Sequence, residues 1–341
     1  MMATMPIKRN DRSQAQRRVQ IFLMYVLLAV VVLFSLYPPL MMLINSFKSN
    51  SEININPGGA PQHVTGANYQ QIGAENSGVL IAGVIALFVG TLLTLVLTKY
   101  MFPRRNAIIA GLVSLIVLGV IPLTVASGGL LRNFLNTVIV ATITTIFAVL
   151  FAALAGFAFA KYRFWGRNAL FTLLLATIMV PTAITLPPQY LIFSQLNWID
   201  TYQVQIIPFL TPVFGLFLIR QYMLTIPDSL IEAARIDGAN DWLIFWRIIV
   251  PVASPVLAVF GIIQFLNMWN SYIWPQVMAN DPSVAPLMLV LPNLRDPVIG
   301  FLPVWGTIMA GCVLATLPIL ILFLTNQDKF MSGLTVGATK E

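Results

Sequence analysis

Gln264, Asn267 and Asn270 stand three residues apart, with Trp269, Tyr272 and Trp274 beside them. On a helix this spacing puts the amides roughly on one face. Amides bond hydroxyls and aromatic rings pack on sugar faces, so such a face suits a neutral polyhydroxylated solute. The same amides serve equally well as a hydrogen-bonded seam between membrane helices. In both readings the chemistry is non-covalent. The single cysteine, Cys312, lies in an apolar run and the single histidine, His63, in a polar loop. They make no metal site, no disulfide framework and no nucleophile pair. No G-x-x-x-x-G-K-[ST] phosphate loop occurs, so the chain is expected not to hydrolyse ATP. The apolar runs carry almost no charge, which argues against a proton- or sodium-coupled carrier.

A second group has a different character. Residues 228–251, DSLIEAARIDGANDWLIFWRIIVP, form a polar island between apolar runs. Ser229 and Glu232 read as a capping box that starts a short helix from Leu230 to Asp237. Gly238 is its natural stop, because glycine takes the left-handed C-cap conformation without penalty. Asn240 or Asp241 can cap a second helix, on which Trp242, Phe245 and Trp246 share a face suited to the membrane–water boundary. Pro251 is expected to close it. Ala233 and Ala234 would let another surface approach the backbone beside Glu232.

The elements that position these groups are membrane spans. The chain has 341 residues, 58% hydrophobic and 9% charged, with a mean hydropathy of +0.85. A soluble domain carries about 25% charged residues. Runs of about 20 apolar residues predict an all-α polytopic protein with eight spans, at 21–45, 78–98, 107–126, 135–160, 169–195, 205–224, 253–278 and 302–325. The first reads as an uncleaved signal-anchor behind the basic segment 1–20. Of 19 Lys and Arg, 16 fall on one side of this topology, and only Lys48, Arg132 and Arg295 on the other. The bias places both termini and the 228–251 island in the cytoplasm. The net charge of +7 therefore marks topology and gives no reason to expect a nucleic-acid partner. Ala152, Gly156 and Ala160 form a small-residue stripe for close helix packing. Pro181, Pro187 and Pro188 predict either a kink or a broken helix in the fifth span.

The order Glu232-Ala233-Ala234, Gly238, Ile248, Val250-Pro251 resembles the EAA loop of ABC importer permeases, with valine where leucine is usual. LAGFAFAKYRFWGRN at 154–168, IDT at 199–201, IPDSLIEAARIDGA at 226–239, WNSYIWP at 269–275 and the tail GLTVGATKE at 333–341 are similar to the carbohydrate-uptake class, the maltose-type permeases. The resemblance covers 131–341 strongly, and the first span with Ser46-Phe47-Lys48 more loosely.

It implies a type I importer permease fold. Six core helices would be joined here by an additional hairpin, 78–126, between an external loop at 46–77 and a permease core at 131–325, with a cytoplasmic tail at 326–341. It implies a bacterial or archaeal plasma-membrane subunit for sugar or oligosaccharide import; a polyol or glycerophosphodiester remains an alternative solute. The implied partners are a second permease, two ABC ATPases that use ATP and Mg, an extracytoplasmic solute-binding protein and lipid. No cofactor is expected on this chain. Glu232, Ala233, Ala234, Asp237 and Gly238 would couple to the ATPases. Asp281, Asn293, Arg295 and Asp296 would meet the binding protein.

Overall fold

The computed structural model describes residues 11–72, 130–295, 300 and 302–336. The expected hairpin 78–126, Asp296 and the last residues of the tail lie outside them. The described helices are α1 (Asp11–Asn45), α2 (Asn50–Ile55), α3 (Ala67–Ile72), α4 (Leu130–Lys161), α5 (Arg167–Ile178), α6 (Thr182–Gln195) and α7 (Tyr202–Ile206). They continue as α8 (Val213–Leu224), α9 (Asp228–Ile236), α10 (Asp241–Val252), α11 (Ser254–Trp269), α12 (Ile273–Met278), α13 (Leu287–Val290) and α14 (Trp305–Val336). No strand occurs among the described residues; Arg295 and Pro303 form one isolated bridge.

The core is built on α4, which packs along α8 and α11. Ala148, Ala152 and Ala160 are buried on it, as the small-residue stripe requires. At Gly156 a Cβ would lie 2.9 Å from Ile219 Cγ2 and 3.3 Å from the Arg220 amide nitrogen. The stripe is therefore the surface that admits α8. Gly215 does the same on α8, where a Cβ would enter the Phe260 ring of α11.

Three helical stretches are long and apolar enough to cross a bilayer unbroken: Val19–Asn45, Leu130–Lys161 and Tyr202–Leu224. Two expected spans are broken instead. The 169–195 run divides into α5 and α6, bent by 98°. Pro181 causes the break: it is extended (ψ 131°), it cannot donate to the helix, and it disfavours helical backbone at Val180. Pro187 and Pro188 sit inside α6 without ending it.

The 253–278 run is shorter than expected. α10 meets α11 at 77° across Ala253. α11 then ends at Trp269, and Asn270–Tyr272 turn the chain into α12. Asn270 assists that ending, because its side-chain amide donates to the Leu266 carbonyl at 2.9 Å. The last span starts at Trp305, three residues later than expected.

Candidate functional site

The polar island folds as the helix pair α9–α10. The expected capping box is not what starts α9. Its first residue is Asp228, Pro227 precedes it in extended conformation, and no side chain caps it, so Ser229 and Glu232 lie inside the helix. What holds this end is Lys161, the last residue of α4. Its Nζ donates to Asp228 Oδ1 at 2.7 Å and to the Ile226 carbonyl. Lys161 is nearly buried while Asp228 is open to solvent. The ammonium also sits at the negative end of the α4 dipole. Its hydrogen bond and charge hold the Asp228 carboxyl below the usual aspartate range.

The end of α9 behaves as expected. Gly238 has φ +81°. Its N–H donates to the Arg235 carbonyl at 3.0 Å, and the Ala239 N–H to the Ala234 carbonyl at 2.9 Å. These are the two bonds of a Schellman cap. Asn240, rather than Asp241, then caps α10, its side chain accepting from the Leu243 N–H at 2.8 Å. Asp241 instead accepts from Arg235 Nη2 at 3.1 Å, and the Arg235 guanidinium lies over the Tyr162 ring, 5.9 Å from its centroid. The nearby Tyr162 hydroxyl and the Arg235 guanidinium lower the Asp241 carboxyl, and burial together with the Asp241 charge raises the Tyr162 hydroxyl. Lys161 and Tyr162 are thus adjacent residues that fasten opposite ends of α9.

Pro251 does not close α10, which runs through to Val252. It contains a π turn at Phe245–Ile249. Pro251 has no N–H to give the ladder, and the wider turn absorbs that loss.

The two alanines have different surroundings. Ala234 is 7% exposed and packs, with Ile231, Ile244, Phe245 and Ile249, into the same core as α4 and α8. Its small side chain serves the hairpin's own docking onto the body. Glu232, Ala233, Asp237 and Gly238 are exposed, as is Ile236 at 87%. A Cβ at Gly238 would meet nothing within 4 Å. Of the three aromatics, Phe245 turns inward onto Phe157 while Trp242 and Trp246 stay exposed.

The amides of α11 do not share an environment. Gln264 is buried, whereas Asn267 and Asn270 are exposed. The neighbouring tryptophans are core residues: Trp269 Nε1 donates to the Ala315 carbonyl at 3.1 Å and Trp274 Nε1 to the Val204 carbonyl at 3.0 Å. Neither indole is free for a solute, so only Asn267, Asn270 and Tyr272 remain from the expected face. The expected receptor contacts are surface groups tied to local backbone. Asp281 Oδ1 accepts from the Ser283 N–H at 2.7 Å, Asn293 donates to the Leu289 carbonyl at 2.9 Å, and Arg295 donates to the Pro292 carbonyl at 2.9 Å.

A polar cluster that the sequence reading missed lies at the opposite end of α4. Arg132 Nε donates to the Ser283 carbonyl at 3.1 Å and Asn133 to the Ala285 carbonyl at 2.8 Å. Asn136 donates to both carbonyls and accepts from the Tyr202 hydroxyl at 2.6 Å. Thr137 Oγ1 accepts from the Leu287 N–H at 2.8 Å. Gln205 donates to the Val284 carbonyl at 3.0 Å. The signal was Asn133, Asn136 and Thr137 at helical spacing near the start of an apolar run.

The geometry is that of a subunit with an exposed helical hairpin at one end of its bundle and a pinned loop at the other. The model of the family described as binding-protein-dependent transport system inner membrane component matches residues 148–331. The chain belongs to that family. It is a membrane permease component, and ATP hydrolysis resides in separate subunits. It is 35% identical over 207 residues to the arabinooligosaccharides transport system permease protein AraQ of Bacillus subtilis, covering 61% of this chain and 73% of that relative. It is 33% identical to the lactose transport system permease protein LacG of Rhizobium radiobacter, over 61% and 74% of the two chains. The sn-glycerol-3-phosphate permease UgpE of Yersinia pestis matches at 32%, over 59% and 71%. Among solved structures, a chain of a bacterial ABC transporter involved in import of the acidic polysaccharide alginate has a TM-score of 0.69, covering 95% of this chain and 99% of that one. At 20% identity the likeness concerns the fold.

Proposed function

We propose that this permease imports a neutral sugar or oligosaccharide, moved by two ATPase subunits that engage the α9–α10 hairpin. The observation that carries this reading is the hairpin itself. It presents Glu232, Ala233, Ile236 and Asp237 to solvent while its inner face is continuous with the core of α4 and α8. A push on α9 therefore moves packed helices as a body. The partners in this reading are a second permease, two ATPases using ATP and Mg, and an external solute-binding protein. This chain itself holds no cofactor. The unpartnered apolar surfaces of α1, α5 and α6, with Ile184 and Leu191 of α6 more than 60% exposed, support a permease partner and lipid. Both termini and the hairpin lie in the cytoplasm, in keeping with the Lys and Arg bias.

A neutral solute is favoured because described cations on the loop side are engaged internally: Lys48 Nζ donates to the Asn56 carbonyl at 2.8 Å, and Arg132 and Arg295 bond backbone carbonyls. The glycerol-phosphate relatives make a phosphate ester the competing solute. Proteoliposomes carrying the complete complex decide between them. ATP-dependent uptake of arabino-oligosaccharides or lactose, without uptake of glycerol 3-phosphate, is the expected result. Uptake of glycerol 3-phosphate alone would overturn the sugar assignment, and flux through this chain without ATPases would overturn the whole reading.

A further inference from the structure

α4 differs from every other long helix described. It runs 32 residues without proline, about 48 Å at the usual helical rise. That exceeds a hydrocarbon core of about 30 Å and reaches both interfaces. By contrast, α1 contains Pro38 and Pro39, α14 contains Pro318, and the other long runs are broken or interrupted by proline. Both ends of α4 are fastened to the segments that face the two aqueous sides. At one end Lys161 pairs with Asp228 at the start of α9, and the ring of Tyr162 lies under Arg235 in its last turn. At the other, Asn133, Asn136 and Thr137 hold the 283–287 segment through four hydrogen bonds. Between them the helix is clamped by α8 at Gly156.

We infer that α4 is the rigid member that joins the hairpin α9–α10 to the loop 281–287, with Lys161, Tyr162, Asn133 and Asn136 as positioning residues. The inference rests on the proposed coupling role of the hairpin. Closure of the ATPases displaces α9, the Lys161 and Tyr162 links carry that displacement into α4, and the Asn133 and Asn136 links deliver it to the loop. A helix bent near 90° cannot carry an axial displacement in this way, which excludes α5–α6 and α10–α11. Because the linkage is a thermodynamic coupling, it must be felt equally in both directions.

The experiment uses the complete importer purified from native membranes in lipid nanodiscs. Amide hydrogen exchange is read in two states, nucleotide-free and trapped with ATP and vanadate. In the unaltered complex the trap is expected to change exchange across 283–287. Lys161→Met, about 40 Å away along α4, is expected to remove at least half of that change while ATP hydrolysis stays within about twofold. Tyr162→Leu, which removes the ring under Arg235, should give a smaller loss of the same kind. Reciprocally, Asn136→Leu should diminish the trap-dependent change at 233–239, where it makes no contact. The Lys161→Met/Asn136→Leu double variant should lose no more at 283–287 than the greater of the singles, since links in series fail non-additively. Should Asn136→Leu fail to assemble, Tyr202→Phe removes one hydrogen bond at the same place with little change in volume. An unaltered complex that hydrolyses ATP yet shows no change at 283–287, variants that keep the full change, or losses that add, would each overturn the inference. A complex that neither contains nor responds to ATPases would instead overturn the proposed function.

Discussion

The two ends of α4 are secured by opposite chemistry. At the hairpin end the fasteners are charges: Lys161 with Asp228, and Arg235 with Asp241 beside Tyr162. At the loop end they are mostly neutral amides bonded to backbone carbonyls, with Asn133 and Asn136 both buried. The difference follows from solvent. Arg235 and Asp241 are both exposed, so that ion pair costs little to form and contributes little to stability; Asp228 is exposed too, although its partner Lys161 is nearly buried. Asn133 and Asn136 lie out of water, where a charge would be costly and an unpaired carbonyl costs about 1–3 kcal/mol. The hairpin end therefore rests on ion pairs that respond to salt and pH, whereas the Asn133 and Asn136 bonds do not titrate; at the loop end the groups that do respond are Asp281, also held low, and Arg132. That asymmetry fits the proposed roles, a hairpin that accepts a moving partner and a loop that follows it.

Four changes probe the two ends against each other. Gly156→Leu should have the largest effect, because it disturbs the helix that both ends share. Forcing a side chain against Ile219 and the Arg220 backbone should cost about 3 kcal/mol, read as loss of monodisperse protein in detergent. Asn136→Leu comes next. It orphans the Tyr202 hydroxyl and weakens two carbonyl contacts, for an expected loss of about 2–3 kcal/mol in thermal unfolding, insensitive to salt. Gly238→Val should cost about 1–2 kcal/mol locally, from backbone strain at φ +81°. Its Cβ meets nothing in this chain, so a loss of ATPase association beyond that of Gly238→Asn would report a partner surface.

The smallest effect is that of acid. Asp228 and Asp241 are held below the usual carboxylate range. Their contribution is complete above the unfolded value near pH 4 and disappears as pH falls through the lower folded value. Between pH 5 and pH 3, exchange at 228–241 should rise while exchange at 285–287 should not. Equal response at both ends would remove the distinction.

Much of this arrangement was legible in the sequence. Gly238 and Asn240 announced the turn because positive φ and helix capping are local properties of single residues. The stripe Ala152, Gly156, Ala160 announced a close helix contact because helical period alone puts it on one face, but not that α8 would make it. The break at Pro181 was legible as one of two outcomes, and the size of the bend was not, because it depends on what α5 and α6 pack against. The Ser229–Glu232 motif misled for a related reason: Lys161, 67 residues earlier, draws Asp228 into the first turn, and a local motif carries no record of that tertiary contact. The α11 amides misled because the apolar face of the helix, with Trp269 buried, sets its rotation, leaving Asn267 outside. Asn133 and Asn136 were overlooked because their partners are backbone carbonyls about 150 residues away, which have no side-chain signature.

In this reading α9 is the surface through which a separate motor drives the permease. In native membranes, a photoreactive amino acid in place of Ile236, the most exposed apolar position on α9, captures whatever docks there. The expected result is an ATP-sensitive adduct with an ATPase subunit, and none from the same substitution at Pro282, beside the 283–287 segment at the other end of α4. An intact, transporting complex in which position 236 captures no ATPase, or reacts with a membrane-impermeant reagent from outside, would contradict it.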